Sequence, residues 1–284
     1  MEIDGNTELT GILGHGIPYT LSPAMHNAAF RSRGLNWVYL PLRAAPEGLA
    51  PAVEGLRALG FRGFNVTIPH KLGVAGLVDR LEGDAELLGA VNTVVLDEGR
   101  LVGHNTDAEG FRSFLRELGA TLEGKEAMII GAGGAARAVA LAAAREGAAR
   151  IVVVNRTVRR AEELAGGLKK AVPSTEISVR NLDPEGMREA GGCSLVVNCT
   201  PLAEEGEIPL DHRVLSPDTW VVDLKYGREP TAFLREAEHR GIRTAGGEGM
   251  LLHQAGLSFR LWTGLEPPLE EMRSAMGKAA ARMD

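Results

Sequence analysis

Two kinds of apolar pattern alternate along the chain. Short runs such as Gly63-Phe64-Asn65-Val66, Met128-Ile129-Ile130 and Ile151 to Val154 suit buried strands, and they are separated by longer stretches with apolar residues at helical spacing. The first part predicts a strand over 10–13, then a helix over 23–33 with Ser22 as N-cap and Pro23 in its first turn. A strand over 37–40, a helix over 49–59, a strand over 63–66, a short helix over 85–88 and strands near 91–96 and 101–103 come next. Residues 108–118 read as a helix presenting Phe111, Phe114, Leu115 and Leu118 to a core, and Gly119 stops it. From Glu126 onward, strands over 128–130, 151–154, 195–197 and 220–223 alternate with helices over 134–146, 159–168 and 231–240. Residues 248–284 read as two closing helices parted near Pro267-Pro268. Such alternation predicts an α/β protein with mostly parallel sheets.

Length favours two domains, since 284 residues can enclose two ordinary cores. The expected division is 1–115, 116–248, and a terminal segment 249–284. Hydrophobic content of 44% and charged content of 24% are those of a globular protein, with no apolar run of bilayer length and no basic-then-apolar leader. A net charge of −6 argues against a general nucleic-acid binder, which needs clustered cations for phosphate. The expected partners are therefore a small molecule, neither nucleic acid nor membrane, and at most a second copy of the chain, as monomer or homodimer. Cys193 and Cys199 are too few for a disulfide framework or a zinc site, which fits the cytoplasm, and both read as structural. His15, His70, His104 and His253 show no ligand spacing, so no metal is expected.

Two polar segments interrupt the first part. Asn65-Val66-Thr67-Ile68-Pro69-His70-Lys71 places an amide, a hydroxyl and an ammonium at the end of a strand; Gly103-His104-Asn105-Thr106-Asp107 places another amide and a carboxylate at a helix start. A Lys and an Asp brought together this way can share a proton, while Asn and Thr groups hold a polyhydroxylated ligand. Each segment also has a plainer reading. A Lys after Pro-His is usually solvated, and Asn-Thr-Asp before a helix usually caps it.

The second part carries Gly131-Ala132-Gly133-Gly134-Ala135-Ala136 directly between a strand and a helix. In that context Gly131 permits a tight turn, Gly133 lets backbone approach a pyrophosphate at the helix N-terminus, and Ala136 allows close helix packing. The next strand ends in Asn155-Arg156-Thr157, where an NAD-binding chain would place an acid. Arg156, helped by Thr157 and Arg160, suits a 2′-phosphate instead, so NADP is the expected cofactor.

These segments, with Ala90-Val91-Asn92-Thr93 and Gly247-Glu248-Gly249-Met250-Leu251-Leu252-His253-Gln254, resemble the shikimate dehydrogenase family over nearly the whole chain. The resemblance implies an N-terminal substrate domain, a Rossmann-type NADP domain, and C-terminal helices that return to the first domain. It implies reversible reduction of 3-dehydroshikimate to shikimate, on the route to chorismate and the aromatic amino acids, with Lys71 and Asp107 as the catalytic pair. Thr20, Ser22, Asn65, Thr67, Asn92, Tyr226 and Gln254 then correspond to substrate-holding residues. Gly131, Ala132, Gly133, Gly134, Ala135, Asn155, Arg156, Thr157, Arg160, Thr200, Gly247 and Met250 correspond to the cofactor site, although on general grounds a helical Met such as Met250 is more often core filler, and Tyr226 reads equally as core. The chain departs from the family at Cys199, where Ala is usual, at Arg228, where Pro is common, and in the segment before the first helix: the usual His-Ser-x-Ser-Pro is here Tyr19-Thr20-Leu21-Ser22-Pro23, where Thr keeps the hydroxyl but its methyl narrows the pocket. Relaxed quinate/shikimate specificity, and a non-catalytic NADP-responsive protein on the same fold, are the alternatives.

Overall fold

The computed structural model describes residues 3–202 and 207–282. Residues up to Gly110 together with those from Leu251 onward form one compact unit, and Phe111–Met250 form another. The first unit contains β1 (Glu8–Gly14), α1 (Ser22–Ser32), β2 (Trp37–Arg43), α2 (Leu49–Ala58), β3 (Gly63–Val66), α3 (Lys71–Val74), β4 (Arg80–Leu81), α4 (Asp84–Leu88), β5 (Thr93–Asp97) and β6 (Arg100–His104). Helix α5 (Asp107–Glu117) crosses into the second unit, which holds β7 (Glu126–Ile130), α6 (Gly134–Arg145), β8 (Arg150–Asn155), α7 (Val158–Ala171), β9 (Glu176–Asn181), α8 (Pro184–Met187), β10 (Leu195–Asn198), β11 (Trp220–Asp223), α9 (Ala232–His239) and β12 (Arg243–Gly246). Helix α10 (Glu248–Thr263) crosses back, and α11 (Leu269–Ala280) closes the described chain.

The sheet of the first unit runs β2-β1-β3-β5-β6-β4. β1 pairs in parallel with β2 and β3, and β4 with β6, whereas β5 runs antiparallel between β3 and β6. That reversal gathers strand ends. With Leu13 opposite Val66, Asn65 opposite Thr93, and Thr93 opposite His104, the ends of β1, β3 and β6 and the start of β5 share one sheet edge. Leu13, Phe64, Val66, Val94 and Leu101 pack with Val53 and Leu56 of α2 to fill the core. Gly63 is required by the covering helix: a Cβ there would collide with Trp262 Nε1, which itself donates to Val94 O at 3.0 Å.

The second sheet runs β12-β11-β10-β7-β8-β9 and its strand pairs are parallel. Its central strands are buried through their apolar residues, from Ala127 to Ile130, Ile151 to Val154 and Leu195 to Val197. Such continuous runs are what a parallel sheet covered on both faces demands.

Three differences from the sequence-based expectations have physical causes. Ser22 is not an N-cap: it is the first helical residue, Leu21 precedes it in helical conformation, and among the described residues no side chain caps the turn. The Leu21 carbonyl closes that turn by accepting from Met25 N at 3.3 Å. Edge strands β4, β9 and β12 leave no clear apolar signal, because Arg80-Leu81, Glu176 to Asn181 and Arg243 to Gly246 mix charged residues with few apolar ones. The short helix α3, which the apolar pattern did not predict because it spans only four residues, begins at Lys71 itself, so the ammonium stands on a helix start.

Candidate active site

The shared edge of the first sheet collects polar side chains that an apolar core would exclude. Val66 N donates to Asn92 O at 2.7 Å and Asn92 N to His104 O at 3.1 Å, so the backbone ladder continues past the strand ends and carries Asn92 between two neighbours. Asn105 Oδ1 accepts from Asp107 N at 3.0 Å, which turns the chain into α5 and leaves the Asp107 carboxylate for other partners. Its Oδ2 meets Lys71 Nζ at 2.5 Å, and its Oδ1 accepts from Asn92 Nδ2 at 2.8 Å. Upstream of Lys71, buried His70 donates through Nε2 to Ala44 O at 2.9 Å and so fastens the segment that delivers the ammonium.

Exposure separates the two charges. The Lys71 side chain is 17% exposed and that of Asp107 only 4%. A buried ion pair is tolerated when its remaining lone pairs and protons are also bonded, and Asn92 does this for the carboxylate. Asn92 is held in turn, with Oδ1 accepting from Thr106 N at 2.8 Å and from Thr93 Oγ1 at 2.9 Å. Gln254 reaches the same amide, its Oε1 lying 3.3 Å from Asn92 Nδ2. It can do so because Gly110 lets α10 approach α5: a Cβ there would sit 2.7 Å from Gln254 Cβ.

Lys71, Asp107, Asn92, Asn65 and Gln254 thus belong to one hydrogen-bonded network. Thr67 follows the end of β3, half-buried, its methyl 2.5 Å from where a Cβ on Gly14 would stand. Thr20 and Ser22 are joined to each other, Ser22 N donating to Thr20 Oγ1 at 3.4 Å, and among the described residues neither hydrogen-bonds to the network. Sequence reasoning missed Thr93, Thr106 and Ser258. Ser258 Oγ lies 2.8 Å from Thr93 Oγ1 and accepts from Asn65 Nδ2 at 3.0 Å. Its spacing of four residues from Gln254, one helical turn, was the available signal.

The second unit contains the nucleotide features. Gly131 follows β7 with φ +117, and a Cβ there would be 3.1 Å from Thr200 Cγ2, so this turn needs glycine. Gly133 is the N-cap of α6; among the described residues a Cβ on it would meet nothing within 4 Å, and the first turn carries neither an acid nor a side-chain cap. Ala132, Gly134 and Ala135 surround it without being exposed as bulky side chains would be, leaving amide groups available to an anion. At the end of β8, Asn155 Nδ2 donates to Thr157 O at 2.9 Å, while Arg156 and Arg160 are exposed and make no ion pair among the described residues. Cations at the start of α7 oppose the helix dipole, a placement that an arriving phosphate would relieve. These residues fit a dinucleotide with a 2′-phosphate.

Past β10, Asn198 shapes the loop that carries Thr200. Its Oδ1 accepts from Thr200 N and Oγ1 at 3.0 and 2.7 Å, and its Nδ2 donates to Leu202 O at 2.8 Å and Asp223 Oδ1 at 3.1 Å. Burial raises the pKa of Asp223, against the bonds from Thr231, Lys225 N and Asn198 that favour its charge. Gly247 is again a necessity, since a Cβ would collide with Leu224 O; Met250 is buried and Tyr226 half-buried. Cys193 behaves as core, burial pushing its thiol up to about 12, while Cys199 is half-buried beside Gly131.

Family models match three stretches of the chain. They are the shikimate dehydrogenase substrate binding domain over residues 12–94, shikimate / quinate 5-dehydrogenase over 114–184, and the shikimate 5'-dehydrogenase C-terminal domain over 247–276. A shikimate dehydrogenase (NADP(+)) of Methanopyrus kandleri is 46% identical over 281 residues, covering 97% of each chain. The chain belongs to the shikimate dehydrogenase family. A crystal structure of a shikimate dehydrogenase in complex with NADP+ superposes with a TM-score of 0.87 at 36% identity, covering 98% of each chain. That of shikimate 5-dehydrogenase from Thermus thermophilus, in complex with NADP(H) and shikimate, gives 0.84 at 38% identity over 96% of this chain and 99% of that one. The two α/β sheets of this chain are those of the family's substrate and nucleotide domains.

Proposed function

We propose that this chain is an NADP-dependent shikimate dehydrogenase, reducing 3-dehydroshikimate to shikimate and running the reverse oxidation. The observation that carries the proposal is the Lys71–Asp107 contact at 2.5 Å, embedded in a network of amides and hydroxyls. A bare ion pair would say little. Here the neighbouring groups are neutral donors and acceptors of the kind that recognise a ring bearing several hydroxyls.

In this proposal Arg156, Thr157, Arg160, Asn155 and the Gly131 to Ala135 turn, together with Thr200, Gly247 and Met250, would hold NADP. NADPH supplies the hydride, leaving the protein to manage one proton, the substrate hydroxyls and a carboxylate. Lys71 holds the proton for the substrate oxygen. Asp107 orients Lys71 and, once that proton has been given up, accepts a hydrogen bond from the hydroxyl. Asn92 fixes the carboxylate of Asp107, Asn65, Thr67 and Gln254 bind ring hydroxyls, and Ser22 and Thr20 bind the substrate carboxylate. Net charge is −6, so the anion's attraction to the site rests on Lys71 and on aligned neutral donors.

Tyr19-Thr20 favours a second reading within the family, in which quinate is also accepted. Initial rates of NADPH formation from shikimate and from quinate, each repeated with NAD, test both. A rate with shikimate and NADP well above the other three combinations supports the proposal; comparable rates with quinate support the second reading. Binding of NADP without turnover of either acid would refute both.

A further inference from the structure

Tyr39 lies on β2, an edge strand, yet it is only 1% exposed. Two consecutive residues of α1 hold it there. The His26 ring stacks on the Tyr39 ring with centroids 4.3 Å apart and planes 11° apart. Asn27 brackets the backbone, its Nδ2 donating to Tyr39 O at 3.0 Å and its Oδ1 accepting from Tyr39 N at 2.9 Å. His26 is fully buried and neither ring nitrogen has a hydrogen-bond partner among the described residues, so its ring serves as a neutral wall. Trp262 of α10 approaches both rings, at 5.2 Å from His26 and 6.0 Å from Tyr39.

What this clamp presents is one hydroxyl. Tyr39 Oη donates to Asn65 Oδ1 at 2.7 Å. The two ends of an Asn amide have nearly the same shape, so neighbours alone decide which way it faces. On the far side Asn65 Nδ2 lies 3.1 Å from Asn92 O, a carbonyl that can only accept. The hydroxyls of Thr93 and Ser258, each 3.0 Å from Nδ2, adapt to that choice. Asn65 Oδ1 therefore faces Tyr39, and without the hydroxyl it would be a buried acceptor lacking this bond.

We infer that Tyr39 is a positioning residue for the substrate site, its clamped hydroxyl holding the Asn65 amide in the orientation that Asn92 O selects. The inference rests on the proposed function insofar as Asn65 touches the hydroxy acid. It makes the His26-Asn27 pair and Tyr39, none of them among the residues matched to substrate or cofactor, part of how the site recognises its ligand.

The experiment is a cycle of Tyr39→Phe, Asn65→Ala and the double variant. Phe keeps the ring, its stack on His26 and the backbone bracket. The expected result for Tyr39→Phe is a rise of about tenfold in KM for shikimate, the scale of leaving a buried acceptor unpaired. KM for NADP and kcat should stay within about twofold, and in the Asn65→Ala background Tyr39→Phe should add little to KM. Unchanged KM for shikimate, equal rises in both KM values, or full additivity would overturn the inference while leaving the proposed activity standing. Failure of the unaltered protein to form NADPH from shikimate would refute the activity instead. The same cycle read as urea midpoints then decides the coupling: non-additive shifts support the Tyr39–Asn65 link and additive shifts overturn it.

Discussion

Lys71 Nζ lies 2.5 Å from Asp107 Oδ2 although the two residues are 36 positions apart in the chain, one at the start of α3 and the other at the start of α5. The antiparallel β5 brings them together. It returns the chain from the β3 side so that Asn92, His104 and the segment to Asp107 end beside Thr67 and Lys71. An all-parallel arrangement of these three strands would send Asn92 to the opposite edge.

Asn92 holds the second oxygen of that carboxylate, so Asn92→Ala should leave Asp107 Oδ1 without its 2.8 Å donor. The expected fall in kcat is about 10–100-fold, with stability lower by about 1–3 kcal/mol for the buried groups left unpaired. Steady-state kinetics and urea denaturation read the two effects. Unchanged kcat would mean that the orientation of Asp107 is immaterial.

Arg156 is exposed at the end of β8 with no ion-pair partner among the described residues. Arg156→Ala should weaken NADP by about 1.5–3 kcal/mol, the range of a charged hydrogen bond, while sparing NAD. Calorimetric titration with each dinucleotide checks this, and equal losses would remove Arg156 from the 2′-phosphate site.

His26 gives acid sensitivity with a definite sign. Burial lowers its pKa from 6.5 to about 3 in the folded protein. Below about pH 6.5 the unfolded chain binds a proton that the folded chain refuses, so stability is lost as pH falls from about 6.5 toward about 3. The slope from this one group approaches about 1.4 kcal/mol per pH unit. His26→Phe should flatten the fall by that amount in urea melts between about pH 6 and about pH 4. Parallel profiles for the two proteins would contradict it.

Thr20 and Ser22 carry the specificity question. Thr20→Ser should lower KM for shikimate or leave it unchanged, and Ser22→Ala should raise it. If neither alters the binding of any cyclic hydroxy acid, the loop before α1 is not the carboxylate site.

Central strands and long helices were legible because burial on both faces writes itself as unbroken apolar runs: β3 and β11 begin and end where Gly63 to Val66 and Trp220 to Asp223 predicted. The edge strands β4 and β12 were not, since Arg80-Leu81 and Arg243 to Gly246 need cover only one partner and tolerate charge, whereas the apolar edge strand β2 was. Within the site, Lys71, Asn92 and Asp107 stood out as polar groups interrupting apolar segments. Tyr39 and Ser258 did not, because each sits in an otherwise apolar stretch and its polar atom finds its partner across the fold. The structure also corrected the role of Ser22, whose position before Pro23 imitates an N-cap without making the capping bond.

The most direct test of the central claim is a double-mutant cycle on kcat with Lys71→Ala, Asp107→Ala and both together, at saturating NADP and shikimate, with circular dichroism confirming the fold. Each single change should lower kcat by about 10²–10⁴-fold with NADP affinity kept. The double variant should lose far less than the product of the two, because groups that manage one proton act as a unit. Near-full turnover in Lys71→Ala, or losses that simply multiply, would contradict a proton-handling pair.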